Sequence, residues 1–171
     1  FLTNKIKQFE IGKESVKKLP DGVFPINVDK DQVSLVLRLI GNNPKLGSLA
    51  SISEGLRIPD SMQDFHGEEG LKIVKQYQFG RYEQIKEGGF IEEKDLSRIL
   101  GPETKRYKNI MKEKLLIEED ALVLSATIDR SCHIPQGGVY FLTTDESGVT
   151  LEYLLAIMNS RVSTFVYNSL F

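Results

Sequence analysis

Three basic stretches and one cysteine–histidine pair are the places where this chain could do chemistry. Gly80-Arg81-Tyr82 follows an apolar run that includes Leu71, Ile73, Val74, Tyr77 and Phe79. The planar fork of donors on Arg81 suits guanine or phosphate, Tyr82 can stack or hydrogen-bond, and Gly80 lets the chain turn sharply or approach a partner closely. The competing reading pairs Arg81 with a structural carboxylate such as Glu83. Gly55 and Arg57 lie in a second loop, where Gly55 serves either as an ordinary turn glycine or as part of a loop near a partner. The third stretch sets Lys105, Arg106, Lys108, Lys112 and Lys114 opposite an apolar face of Tyr107, Ile110, Met111 and Leu115. Such a face is either solvated or a phosphate-contacting stripe. Cys132 and His133 do not form a nucleophile–base pair, because neighbours on a strand point to opposite faces. They read as structural. His66 has no second ligand at metal spacing, so no metal site is expected.

The wider composition bounds the class. The chain has 171 residues, 40% hydrophobic and 27% charged, enough for one domain or one domain with a small appendage. Its single cysteine excludes an intrachain disulfide and fits a cytoplasmic location. No apolar run reaches about 18 residues, so no membrane association is expected. Net charge is −2 but unevenly distributed. Residues 72–114 carry eleven Lys or Arg against seven Asp or Glu, whereas residues 115–171 carry two against seven. A domain that presents one basic side to phosphates has this pattern, and so does one with solvated charged loops. The sequence has no glycine-rich cofactor loop, no Asn-Pro-Pro-aromatic tetrad, no Walker motif and no nuclease arrangement of carboxylates. No cofactor or catalytic residue is therefore expected here.

The elements that must position these residues follow from periodicity. Val33, Val36, Leu37 and Ile40 mark a helix over 29–43, started by Asp29 or Asp31 and stopped by Gly41-Asn42-Asn43-Pro44. Residues 45–60 read as a strand, then a loop. Residues 92–120 read as helical, punctuated by Gly101-Pro102. Leu122 to Ile128 and Val139 to Thr144 read as strands, and Asp145-Glu146-Ser147-Gly148 closes the second. From Leu151 the period becomes helical through Leu154, Leu155, Met158, Val162 and Phe165, with Thr150 as N-cap and no stop before Phe171. Residues 1–23 read as a lead-in from a preceding domain. Ile6, Phe9 and Ile11 suggest a short strand there, and Phe24 and Ile26 tie the segment to the core. The expected fold is α/β (α+β): a twisted, mostly antiparallel sheet of short strands, packed helices and a long C-terminal helix. Both ends look cut, as in a piece of a longer protein.

Two strands followed by Leu151, Tyr153, Leu154, Leu155, Met158, Asn159, Ser160 and Phe165 resemble the late part of a TaqI-like specificity domain. That domain is the target-recognition part of bacterial adenine-N6 DNA methyltransferases and of fused restriction-modification enzymes. Leu46-Gly47 through Glu54-Gly55 is similar to the family's strand-and-glycine loop, although Leu56-Arg57-Ile58-Pro59-Asp60 departs from its usual turn. Gly80-Arg81 matches its glycine–arginine segment, with Tyr82 in place of an acidic residue. Asp129-Arg130 is the nearest equivalent of a basic stretch that is otherwise missing.

The resemblance covers residues 24–171. It implies a non-catalytic domain that reads double-stranded DNA and positions a methyltransferase domain of the same chain. That parent would use S-adenosylmethionine, with or without a fused endonuclease. The residues implied at the DNA are Gly55, Arg57, Gly80, Arg81, Tyr82, Lys105, Arg106, Lys108 and Arg130. The competing class is a protein–protein interaction or dimerisation module, favoured by the acidic last third and by Phe165, Val166, Leu170 and Phe171. An independent small enzyme is disfavoured by the lack of any acid, base or nucleophile constellation.

Overall fold

Leu115-Leu116-Ile117 is an uninterrupted apolar run whose side chains are all buried, so a strand here must lie between two packed layers. The computed structural model describes residues 10–20, 23–25, 28–41, 43–64, 69–86, 88–119, 123–144 and 148–171. It divides into two units. One comprises Lys45–Ser160; the other comprises the residues up to Pro44 together with Arg161–Phe171.

In the larger unit, four strands form an antiparallel sheet: β1 (Ser51–Glu54), β4 (Lys114–Glu118), β5 (Ala126–Asp129) and β7 (Val139–Thr143). Their order is β1-β7-β4-β5. The register aligns Glu54, Tyr140, Ile117 and Ala126 across one end of the sheet. Lys114 and Asp129 stand opposite each other at the other end. Leu115, Ile117 and Leu142 bury one face against helix α6 (Leu151–Met158), through Leu151 and Leu154. Leu116 and Phe141 bury the other face against a core that includes Ile73, Leu96, Ile110 and Ile134.

That second layer holds a smaller sheet: β2 (Leu71–Val74), β3 (Phe90–Ile91) and β6 (Ile134–Pro135), in the order β3-β2-β6. The β2–β3 pair is antiparallel and the β2–β6 pair is parallel. Helices α4 (Glu93–Ile99) and α5 (Lys105–Ile110) contribute Leu96 and Ile110 to the same core.

Several expectations change. Leu46–Leu49 is a single helical turn, α3, and β1 begins only at Ser51. The helical pattern assigned to 92–120 ends at Ile110, because the buried run that follows needs the sheet on both sides. Lys114, placed on a solvated face by helical period, is fully buried in β4. The strand expected from Leu122 begins at Ala126; Leu122 itself lies outside the described residues, as do Ile6, Phe9, Ile26, His66 and Asp145 to Ser147.

The C-terminal helical stretch is interrupted at Asn159-Ser160. Helix α6 stops there and α7 (Arg161–Leu170) follows. The reason lies in Asn159, which is buried. Its carboxamide accepts from the backbone N–H of Ala126 and donates to the Ala126 carbonyl, each at 2.9 Å. Ala126 is on the edge strand β5, so the side chain stands where a further strand would pair. Thr150 caps α6, its Oγ1 accepting from the Tyr153 N–H at 3.2 Å.

The smaller unit holds α1 (Lys13–Val16), α2 (Lys30–Gly41) and α7; its core gathers Leu19, Val36 of α2 and Leu170 of α7, with Leu37, Ile40, Phe165 and Val166 packed against them. Asp29 Oδ1 accepts from the Gln32 N–H, and Gln32 Oε1 accepts from the Asp29 N–H, both at 2.8 Å, a reciprocal cap at the start of α2. Phe24, expected to tie this segment to the core, is 71% exposed.

The buried end of the large sheet carries ions. Lys114 Nζ lies 2.7 Å from Asp129 Oδ2 and also donates to the Ile110 carbonyl at 2.8 Å. Asp129 Oδ1 accepts from His133 Nδ1 at 2.7 Å and from the Ser131 N–H at 3.0 Å. Burial pushes the Lys114 ammonium down from its ordinary pKa, opposed by Asp129. Burial alone would push the Asp129 carboxyl up, but His133 and Lys114 hold it below the ordinary carboxylate range. Cys132 and His133 thus serve structure: His133 orients Asp129, and Cys132 Sγ contacts the Met111 carbonyl at 3.2 Å.

Lys114→Met, measured by denaturant unfolding, should cost about 3–5 kcal/mol, because it leaves the Asp129 charge buried without its ammonium partner. Lys114→Met combined with Asp129→Leu should recover much of that loss. The folded-state pKa of Asp129 is depressed, so its stabilisation is present above the unfolded value of about 3.9 and is lost as pH falls through the folded value. Asp129→Asn should therefore flatten the fall in melting temperature on acidification below about pH 4.

Candidate nucleic-acid interface

The row Glu54–Tyr140–Ile117–Ala126 ends the large sheet on one side, and the loops beyond it carry most of the predicted site. After β1 the chain continues through Gly55, Leu56, Arg57 and Ile58. Leu56 and Ile58 are buried and Arg57, between them, is exposed, as alternation along an extended segment requires. Gly55 donates to the Val139 carbonyl and Leu56 to the Pro135 carbonyl, both at 2.7 Å. A Cβ on Gly55 would collide with the Gln136 carbonyl. Gly55 is thus a packing glycine that lets two main chains approach.

Arg106, in the first turn of α5, reaches this loop. Its Nη2 donates to the Glu54 carbonyl at 2.5 Å and to the Gly55 carbonyl at 3.3 Å. Arg106 therefore fixes the loop that displays Arg57. Lys105, in the same turn, is exposed. Thr104 caps that turn, accepting from the Tyr107 N–H at 3.2 Å. Lys108, further along α5, pairs with Glu103 at 3.1 Å.

The segment 75–83 crosses the ends of β4 and β5. Gln76 Nε2 donates to the Glu119 carbonyl at 2.6 Å, and the Tyr77 N–H donates to Glu118 Oε1 at 2.8 Å. Phe79 is buried in the core shared by the two sheets. Arg81 Nε donates to the Leu124 carbonyl at 2.9 Å and the Tyr82 N–H to the Ala126 carbonyl at 3.3 Å. Thr127 Oγ1 donates to the Glu83 carbonyl at 2.8 Å. Glu83 folds its carboxyl group over Gly80, where a Cβ would meet it at 2.7 Å. Tyr77 and Tyr82 both have positive φ, 66° and 59°. That backbone costs a side-chain-bearing residue roughly 1–2 kcal/mol.

Arg57 and Arg81 thus stand at the same end of the sheet but on its opposite flanks, β1 and β5, with β7 and β4 between them. Three strand spacings separate these flanks, about 14 Å. Gly55, Arg57, Gly80, Arg81, Tyr82, Lys105 and Arg106 belong to this end. Arg130 does not. It follows Asp129 at the other end of the sheet, where it pairs with Glu152 at 2.6 Å and Glu113 at 3.2 Å. The sequence reading counted Tyr77 in an apolar run, whereas the side chain is exposed; a left-handed conformation at a tyrosine leaves no mark in composition or periodicity. Among the described residues, no group of His, Cys, Asp and Glu is placed to hold a metal, and no helix is long and apolar enough to cross a membrane.

The TaqI-like C-terminal specificity domain model matches residues 69–171, more than half of the chain, and the chain belongs to that family. Among solved structures, it is similar to the HsdS subunit from Thermoanaerobacter tengcongensis, with 18% identity and a TM-score of 0.51. The alignment covers 76% of this chain and 33% of that one, so the chain spans about a third of the length of that subunit. A second structure, described by its work on complex assembly and conformational transition of the type I R-M system, gives 18% identity and a TM-score of 0.48. It covers 82% of this chain and 38% of the other. No curated protein matches the chain by sequence.

The packing role of Gly55 is testable. Gly55→Ala should lower stability by about 1–3 kcal/mol in denaturant unfolding, since the new methyl meets main-chain carbonyls that cannot rotate away.

Proposed function

We propose that this domain reads a short stretch of double-stranded DNA in a restriction-modification system, with the loop end of the large sheet as its DNA-facing surface. The observation that carries this reading is the gathering of Arg57, Arg81, Tyr82, Lys105 and Arg106 at one end of a single sheet. The front from the β1 flank to the β5 flank, about 14 Å, matches about four base-pair steps of 3.4 Å. Arg57 and Lys105 supply charge toward the phosphates. Arg106 and Arg81 hold loops in place through main-chain carbonyls. Lys108 adds to the phosphate field along α5, and Gly55 and Gly80 act through the backbone paths they permit. Arg130, tied to two carboxylates at the far end, contributes to the fold rather than to the DNA surface.

The residues that carry this surface lie within 45–160, and the segment before them belongs to a separate packing unit. The domain does no chemistry of its own in this reading. A methyltransferase using S-adenosylmethionine, on the same chain or on a partner subunit, supplies it. When the target adenine must leave the stack for that chemistry, this domain holds the flanking duplex.

The test is a duplex-binding titration over a range of salt concentrations. Affinity should fall with salt by about 0.9 log units per log unit for each phosphate neutralised. Arg57→Ala should weaken binding to all sequences equally and reduce the slope by about one. Salt-independent association, or no association with duplex, would instead favour a protein–protein module.

A further inference from the structure

Two tyrosines crown the loop that crosses β4 and β5, and their placement is unusual on three counts. Both side chains lie in solvent, Tyr77 at 79% exposure and Tyr82 at 62%. Both have a left-handed backbone, which bulky side chains adopt rarely and asparagine or glycine adopt readily. Both are held there through their own N–H groups: the Tyr77 N–H donates to the Glu118 carboxylate and the Tyr82 N–H to the Ala126 carbonyl. A solvated turn with no other duty gains nothing from tyrosine at such positions. The loop is also rigid beneath them. Phe79 anchors its middle in the core, the Lys75 N–H donates to Gln78 Oε1 at 2.7 Å, and the Lys86 N–H donates to the Gln78 carbonyl at 2.7 Å.

We infer that Tyr77 and Tyr82 are the sequence-reading side chains of this domain, contacting the bases of two neighbouring base pairs, with Arg81 as the positioning residue between them. The inference rests on the reading of this end of the sheet as a DNA interface and assigns its specificity. A tyrosine offers an apolar ring edge to a thymine methyl or a stacking face to an unstacked base, and a hydroxyl that donates or accepts at a base edge. The anchors of the two residues lie on adjacent strands, about 5 Å apart. That separation spans between one and two base-pair steps of about 3.4 Å. Arg81 spends its Nε on the Leu124 carbonyl. It thereby clamps the loop to the segment leading into β5 and sets the direction of Tyr82.

The experiment uses the full-length protein with the subunits it assembles with, and a duplex library with a randomised central window between fixed flanks. Bound fractions are sequenced for the wild type, Tyr77→Asn, Tyr82→Asn and Arg57→Ala. Asparagine tolerates the left-handed backbone, so the folded domain should keep or raise its melting temperature. The wild type should enrich a motif. Each tyrosine variant should lose discrimination about 5- to 150-fold at one or two adjacent positions of that motif, while its salt slope stays unchanged. Arg57→Ala should keep the motif while weakening binding to all sequences equally and lowering the slope. If both tyrosine variants enrich the wild-type motif with undiminished contrast, the assignment is overturned while the DNA-binding reading stands. If the wild type binds duplex without salt dependence or enriches no motif, the reading of the surface falls, and this assignment falls with it.

Discussion

The ion pair between Lys114 and Asp129 fixes the rest of the larger unit. The two residues face each other across β4 and β5, and both are fully buried. Side chains alternate along a strand, so slipping this register by one residue would send a charge into an apolar layer and turn Leu115 or Leu116 to the wrong face. Unpaired, either ion would be costly to bury, which makes misregistered pairings much less favourable than the native one. With β4 placed, β7 and β5 follow on either side of it, and β1 adds beyond β7.

The same register gives the sheet two ends with different work. At one end, Lys114, Asp129 and His133 are enclosed, held by one another and by the Ile110 carbonyl and the Ser131 N–H. Arg130 is tied to carboxylates beside them. At the other end, Arg81, Arg106 and Gln76 fasten the loops through main-chain carbonyls, while Arg57 and Lys105 are exposed. Buried ion pairing and displayed charge thus lie at opposite ends of one sheet.

Much of this was legible in the sequence where one physical cause dominates. The periodic apolar faces of α2 and α6, the Thr150 cap and the β-rich run of β7 all follow from local patterning. Gly80-Arg81 and Gly55 were legible as special positions, although the geometry gives Gly55 a packing reason. Tertiary context hid the rest. Lys114 looked like one more lysine on a basic face, because its carboxylate partner lies fifteen positions away in sequence. The helical reading of 92–120 failed because Leu115 continues the i, i+4 spacing of Tyr107 and Met111 closely enough to mask a change of period. Asn159 read as part of a helical signature, whereas its role is to bond the edge of β5. The left-handed conformation of Tyr77 depends on Glu118, on a strand far along the chain.

Tyr77 and Tyr82 are held by their backbone N–H groups, and their side chains bear no weight in the core. The fold therefore places few demands on what those side chains are, beyond tolerance of a left-handed backbone. Asparagine, aspartate, histidine or glycine could replace either tyrosine without moving β4 or β5. Each offers a different pattern of donors, acceptors or bare space. Such a scaffold can exchange its vocabulary while keeping its grammar: the chemistry displayed at this end of the sheet can change through two substitutions, with no intermediate that has lost its fold.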